Sequence, residues 1–280
     1  MKLDIVKADP ASRVRSTPVL FVHGMSHAAW CWAENFLPYF AQHGYVSHAL
    51  SLRGHGGSEG RERLRWTSLD EYVSDVEQVA DQMERPPILV GHSMGGMIVQ
   101  KYLELHEAPA AVLLASAPPR GVLQATLRVA LRHPLVFMKA NFMMSMYPMV
   151  SSPQLVQEAL FSADMPEDQV MSYFSRMQDE SYRAYLDMMG LRLPRPERVK
   201  TPVLVTGAAD DRLISPREVE ATARAYHTQA VMFPCMAHDM MLEAGWKAVA
   251  DQMLGWLGMR GLYRPIAKRR GNRHQARTFA

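Results

Sequence analysis

The sequence predicts an α/β fold: a mostly parallel central sheet covered by helices on both faces, with a helical segment inserted between two of its strands. Three observations predict it. Short apolar runs alternate with amphipathic helical patterns as far as Pro118. The alternation then stops for about eighty residues of helical spacing, to Pro194-Arg195-Pro196, and resumes at Pro202. One strand-to-helix junction, Gly91-His92-Ser93-Met94-Gly95, reads Gly-x-Ser-x-Gly, a turn in which small residues let strand and helix approach while the serine hydroxyl projects outward.

Taken in order, residues 1–16 leave room for one short strand, around Leu3 to Val6. Thr17 to Val22 is a buried strand that stops at His23-Gly24-Met25, a loop suited to close approach of a ligand. Trp32, Phe36, Leu37 and Phe40 recur at helical spacing, which predicts a helix from Trp30 to a stop at Gly44. Tyr45 to Leu52 is the next strand. It runs into Arg53-Gly54-His55-Gly56-Gly57-Ser58-Glu59-Gly60, which fails as a dinucleotide loop because Glu59 stands where the third glycine belongs. No nucleotide cofactor is expected.

Ser68-Leu69-Asp70-Glu71 forms a capping box before a helix with Tyr72, Val73 and Val76 on its apolar face. The strand Ile88 to Val90, the serine turn, a helix to His106 and the strand Ala110 to Ala115 follow. Within the inserted segment, Leu123, Leu127 and Leu131 open a run of helices. Ten of the 21 methionines lie between Gly121 and Gly190, a quarter of the chain. Flexible thioethers suit either an adaptable apolar binding surface or the filling of a small helical core. Val203 to Thr206 restarts the sheet, Ser215-Pro216-Arg217-Glu218 caps the next helix, and Ala230 to Phe233 and a helix from Trp246 to Leu257 close the fold. The expected units are therefore 1–118 and 197–259 as core, 119–196 as insertion and 260–280 as tail.

Composition narrows the function classes. Of 280 residues, 48% are hydrophobic and 21% charged, an ordinary globular balance. Met1 to Pro10 has no signal-peptide pattern, no apolar run reaches the roughly 20 residues of a membrane span, and the two cysteines do not suggest a disulfide framework; a cytoplasmic setting is expected. The net charge of +3 is misleading: seven of the 31 Lys and Arg residues lie after Leu257, in an acid-free tail, leaving 24 basic against 28 acidic elsewhere. That tail, 260–280, reads as poorly ordered and suited at most to weak contact with an anionic surface, and no specific nucleic-acid binding is expected. The histidines and cysteines show no metal-ligand spacing, so no metal is implied.

The sequence order of His23-Gly24-Met25, the loop Arg53 to Ser58, the turn Gly91 to Gly95, and a strand-end acid followed by His238 resembles the α/β-hydrolase superfamily over roughly residues 17–258. Gly54-His55-Gly56-Gly57-Ser58 and Gly91-His92-Ser93-Met94-Gly95-Gly96 look like the monoacylglycerol lipase and lysophospholipase type. The resemblance implies a helical cap at 119–196, a serine esterase or lipase activity on lipophilic esters, and no cofactor. It also implies a catalytic triad with Ser93 as nucleophile and His238 as base. For the acid, Asp211 is preferred, since Asp-Arg-Leu-Ile-Ser resembles the family pattern, with adjacent Asp210 as the alternative. Asp239 is expected to point elsewhere. His92 is fixed in the turn, and His23 and His55 are expected to bond locally. The oxyanion hole would use backbone N–H groups of Met25 and Met94. Lactone opening, carbon–carbon bond hydrolysis or acyl transfer at the same three residues, and a binding protein on the same scaffold, remain the alternatives.

Overall fold

The computed structural model describes residues 1–11 and 15–263. Seven strands form one sheet: β1 (Asp4–Ala8), β2 (Val19–Val22), β3 (Ser47–Ser51), β4 (Ile88–His92), β5 (Ala111–Leu114), β6 (Val203–Ala208) and β7 (Ala230–Phe233), in the order β1-β3-β2-β4-β5-β6-β7. β1 runs antiparallel to β3 and every other neighbour pair is parallel. The chain leaves β2 toward β3 on one side and returns to place β4 on the other. The loops after β2 and β4 thus diverge at a topological switch point, where open α/β sheets form crevices.

Strand alternation builds two cores. Val19 and Phe21 face one layer with Trp32, Phe36, Phe40, Val249 and Met253, while Leu20 and Val22 face another with Leu69, Tyr72, Met97, Ile98 and Val219. The first layer holds helices α1 (Trp30–Ala33), α2 (Phe36–Gln42) and, at the end of the chain order, the helix Trp246–Met259. The second holds α3 (Leu69–Ala80), α4 (Met94–Tyr102) and the helix Pro216–Ala225. The Ser68 capping box forms as read: Glu71 N–H donates to Ser68 Oγ (3.2 Å) and Ser68 N–H to Glu71 Oε2 (2.8 Å).

The single helix expected from Trp30 to Gly44 is instead two. Pro38 cannot donate to the carbonyl of Glu34, so the helix breaks one turn before it. Asn35 there adopts φ −132°, ψ −55°, and its amide donates to the Met241 carbonyl at 3.0 Å. The tail also starts later than read. Leu262 O accepts from Tyr45 Oη (2.7 Å), and Tyr263 stacks on the Tyr45 ring, because the buried Tyr45 hydroxyl needs an acceptor. The rest of the expected tail lies outside the described residues.

Between β5 and β6 the chain builds α5 (Leu123–Arg132), α6 (Pro134–Met143), α7 (Pro153–Leu160), α8 (Glu167–Phe174) and α9 (Tyr182–Leu186), and the two later helices are α10 (Pro216–Ala225) and α11 (Trp246–Met259). The Leu123, Leu127, Leu131 spacing does make a helix, yet this stripe faces outward: Leu131 is 84% exposed, and on α6 Leu135 and Phe142 are 78% and 90% exposed. The return segment of the insertion is fastened to the core. The Gln178 amide accepts from Gly56 N–H and donates to the Gly54 carbonyl, both at 3.0 Å, and buried Glu180 accepts from Tyr72 Oη at 2.6 Å.

Among the described residues no helix is long and apolar enough to cross a membrane. Cys31 is buried and Cys235 exposed, and neither is paired.

Candidate active site

Ser93 ends β4 and precedes α4 with φ 52° and ψ −118°, a conformation costing on the order of 1–3 kcal/mol for a non-glycine residue. The surroundings over-determine it. Ser93 N–H donates to Leu114 O, and its carbonyl accepts from Gly96 and Ala117 N–H at 3.0 Å each. Gly95 cannot carry a side chain, since a Cβ would stand 2.4 Å from the carbonyl oxygens of both Val22 and His23. The β2–β4 register, with Val22 opposite Gly91, brings the loop after β2 beside the serine, and a Cβ on Gly24 would lie 3.0 Å from that of Ser93.

The three side chains singled out by sequence come together. Ser93 Oγ is 2.9 Å from His238 Nε2, and His238 Nδ1 is 2.7 Å from Asp211 Oδ2. Asp211 Oδ1 accepts from Leu213 and Ile214 N–H at 2.8 and 2.9 Å, which fixes the carboxylate. With Nδ1 donating to a carboxylate, Nε2 offers its lone pair to the serine hydroxyl. Asp210 is exposed, and its N–H serves only the loop, donating to Met236 O. Met25 and Met94 line the same cavity as Ser93, at the loop after β2 and the start of α4, the two positions read as backbone donors.

Burial works against charge on His238, but Asp211, with Asp239 behind it, outweighs burial and holds the ring above the ordinary 6.5. Only neutral His238 can take a proton from Ser93. The expected kcat/KM profile therefore rises with pH through a midpoint above about 6.5, and Asp239→Asn moves that midpoint toward acid by removing one source of negative charge. A pH–rate profile of both proteins checks this; a wild-type midpoint below that value, or an alkaline shift in the variant, contradicts it.

The other histidines divide. His23 accepts from Leu52 N–H at 3.0 Å, and burial keeps it neutral. Burial also pushes His92 down to about 3, and its Nε2–H donates to the His238 carbonyl at 3.0 Å. His55 bonds locally through Nδ1 to Arg53 O, as read, but its Nε2 also lies 3.0 Å from Glu180 Oε2 in the return segment of the insertion. Asp239 points away from Ser93, as read, yet not toward solvent: it meets His27 Nε2 at 2.9 Å, both side chains fully buried. Sequence reading missed that pair. Its signal was Asp239 itself, a carboxylate in the apolar run Met236 to Leu242, which needs a buried partner.

Among the described residues, His92, His238 and Asp239 place ligand-capable atoms within 4.8 Å of one another. Both His238 nitrogens are committed to Ser93 and Asp211 and the His92 Nε2–H to a carbonyl, so the group is built as a hydrogen-bond network. The serine opens into a cavity of about 720 Å³ with mostly apolar walls, including Val122, Val129, Phe137, Met149, Leu155 and Met188 from the insertion. That size is typical of sites for small organic ligands.

Comparison with known proteins identifies the family and the fold. Residues 15–245 match the family Hydrolase_4, described as serine aminopeptidase, S33. The chain is 25% identical to a monoacylglycerol lipase of Mycolicibacterium smegmatis over 85% of its own length and 87% of that protein. It is 34% identical to a non-heme chloroperoxidase of Streptomyces lividans, but that match spans only 36% of this chain and 37% of the other. The crystal structure of the Paleococcus ferrophilus monoacylglycerol lipase superposes with a TM-score of 0.69 at 20% identity, covering 93% of this chain and all of that one. With a family match over most of its length and an α/β-hydrolase sheet beneath it, the chain belongs to the serine aminopeptidase S33, or Hydrolase_4, family of α/β-hydrolases.

Proposed function

We propose that the protein is a carboxylic ester hydrolase that cleaves lipophilic esters, of the monoacylglycerol or lysophospholipid kind, through an acyl-enzyme on Ser93. The observation that carries this reading is the unbroken chain Ser93 Oγ, His238, Asp211 at the floor of a large apolar cavity. Ser93 Oγ attacks the ester carbonyl while its proton passes to His238 Nε2, and Asp211 holds the ring and balances its charge. The N–H groups of Met25 and Met94 receive the oxyanion. Collapse breaks the acyl–oxygen bond, and the alcohol leaves with the proton from His238. Water then repeats the sequence, giving the acid and free Ser93.

The helical insertion acts in this reading as a cap that supplies the acyl-chain walls. Its outer face supports delivery from a lipid aggregate: α5 and α6 expose Leu131, Leu135 and Phe142, and no Asp or Glu occurs between Glu107 and Glu158. Leu135→Glu and Phe142→Glu are each expected to lower turnover of micellar monoacylglycerol about tenfold, the equivalent of one apolar side chain's burial. Turnover of dispersed p-nitrophenyl butyrate should be unchanged, and equal loss on both substrates contradicts the assignment. A weaker anionic-surface contact is assigned to the basic segment 260–280, and the cytoplasm is the proposed compartment. Equal binding to anionic vesicles after deletion of residues 264–280 removes the former.

The test of the reaction is labelling with a fluorophosphonate, adduct location by peptide mass, and hydrolysis of p-nitrophenyl esters from C2 to C16. The expected result is an adduct on Ser93 and a rate maximum at medium or long chains. Labelling without ester turnover transfers the site to lactones, carbon–carbon bonds or acyl acceptors, and no labelling of folded protein contradicts the proposal.

A further inference from the structure

His27 lies in the loop after β2, buried, with both of its ring nitrogens engaged. Nδ1 is 2.7 Å from the Met25 carbonyl oxygen and Nε2 is 2.9 Å from Asp239 Oδ2. Burial raises the Asp239 carboxyl, but the His27 ring, with His92 and His238, more than offsets it and keeps the group below its ordinary value, so it is a carboxylate. A carbonyl and a carboxylate only accept. Each ring nitrogen thus faces an acceptor, and the ring bridges the Met25 carbonyl and the Asp239 carboxylate.

The pair spans an unusual distance in the topology. β2 and β7 are separated in the sheet by β4, β5 and β6, so no ladder connects the loop that carries Met25 to the loop that carries His238. His27 and Asp239 bridge these loops directly, Asp239 being the residue next to His238. The ring is clamped in place by stacking on Trp30 (centroids 5.3 Å apart), over which the Arg176 guanidinium sits at 4.3 Å. On the other side, His92 holds the His238 carbonyl, and Asp239 N–H donates to Leu160 O at 2.9 Å.

We propose that His27 and Asp239 are positioning residues that hold the oxyanion-donor loop and the base loop in one frame. The proposal rests on the ester-hydrolase reading for its kinetic consequence. The bonds hold the ground state, but their effect is felt when the acyl oxygen becomes an anion and must lie within reach of the Met25 N–H while His238 is aligned with Ser93. Misplacing reacting groups by about 1 Å costs on the order of 10²-fold in rate.

The test uses two amide replacements. In His27→Asn the side-chain N–H overlays Nδ1 and keeps the Met25 bond, whereas in His27→Gln it overlays Nε2 and keeps the Asp239 bond. Each, and Asp239→Asn, is expected to lower kcat about 10²-fold with KM within about twofold. Inhibition by an alkylboronic acid, which mimics the oxyanion, should weaken in parallel. The double variant His27→Gln, Asp239→Asn should be no worse than the poorer single, because the link is already broken. Unchanged kcat in a folded variant, a loss confined to KM, or losses that multiply in the double would each overturn the proposal. Wild-type turnover and Ser93 labelling test the ester reading separately.

Discussion

Ser93→Ala is expected to lower ester turnover by a factor on the order of 10⁶, as does removal of a nucleophile that acts as a unit with its base. The variant should fold, since only Oγ is lost and the strained backbone is held by Leu114, Gly96 and Ala117. His238→Ala should be nearly as damaging, and Ser93→Ala with His238→Ala no worse than either alone, because the hydroxyl and the ring act on the same proton. What remains in the proposed mechanism is the contribution of the cavity and of the N–H groups assigned to Met25 and Met94. The measurement is steady-state hydrolysis of a medium-chain p-nitrophenyl ester at matched folded concentration. A loss of only tenfold would mean that another group attacks the carbonyl, and the assignment of Ser93 would be withdrawn.

The second large effect separates two neighbours. Asp211→Asn should lower kcat on the order of 10⁴-fold, because an amide in place of Oδ2 can donate to Nδ1 and drive His238 to the tautomer that cannot accept from Ser93. Asp210→Asn should leave kcat within about twofold, as befits a surface substitution. The distinction is geometric: Asp211 accepts from two N–H groups and from His238, while Asp210 is exposed. Equal losses would show that the loop after β6 shifts register during turnover, and a larger loss at Asp210 would reverse the assignment.

The parts that were legible in the sequence are those with a local physical cause. Gly91, where a Cβ would stand 2.4 Å from the Gly95 carbonyl oxygen, lies between a buried strand and an amphipathic helix and marks the Ser93 turn from the residues of the turn itself. A capping box is likewise closed within four residues, and the Ser68 helix began where it was read. The break before Pro38 was also available, since the missing N–H is a property of that residue alone. It was masked by an apolar spacing that continues across the break.

The order of strands and helices, the insertion between β5 and β6 and the serine turn were determined by the sequence itself, because each follows from periodicity, chain order or a steric need of a few consecutive residues. The choice of Asp211 was favoured by pattern, but the hydrogen bonds that fix it are set by how the loop after β6 folds. Only the tertiary structure decided which side of α5 and α6 faces outward, since helical spacing defines a face but not its neighbour. Only it joined His27 to Asp239, 212 residues apart. Burial makes such a bond necessary for both groups, and no rule of sequence spacing says which partner will be brought within reach.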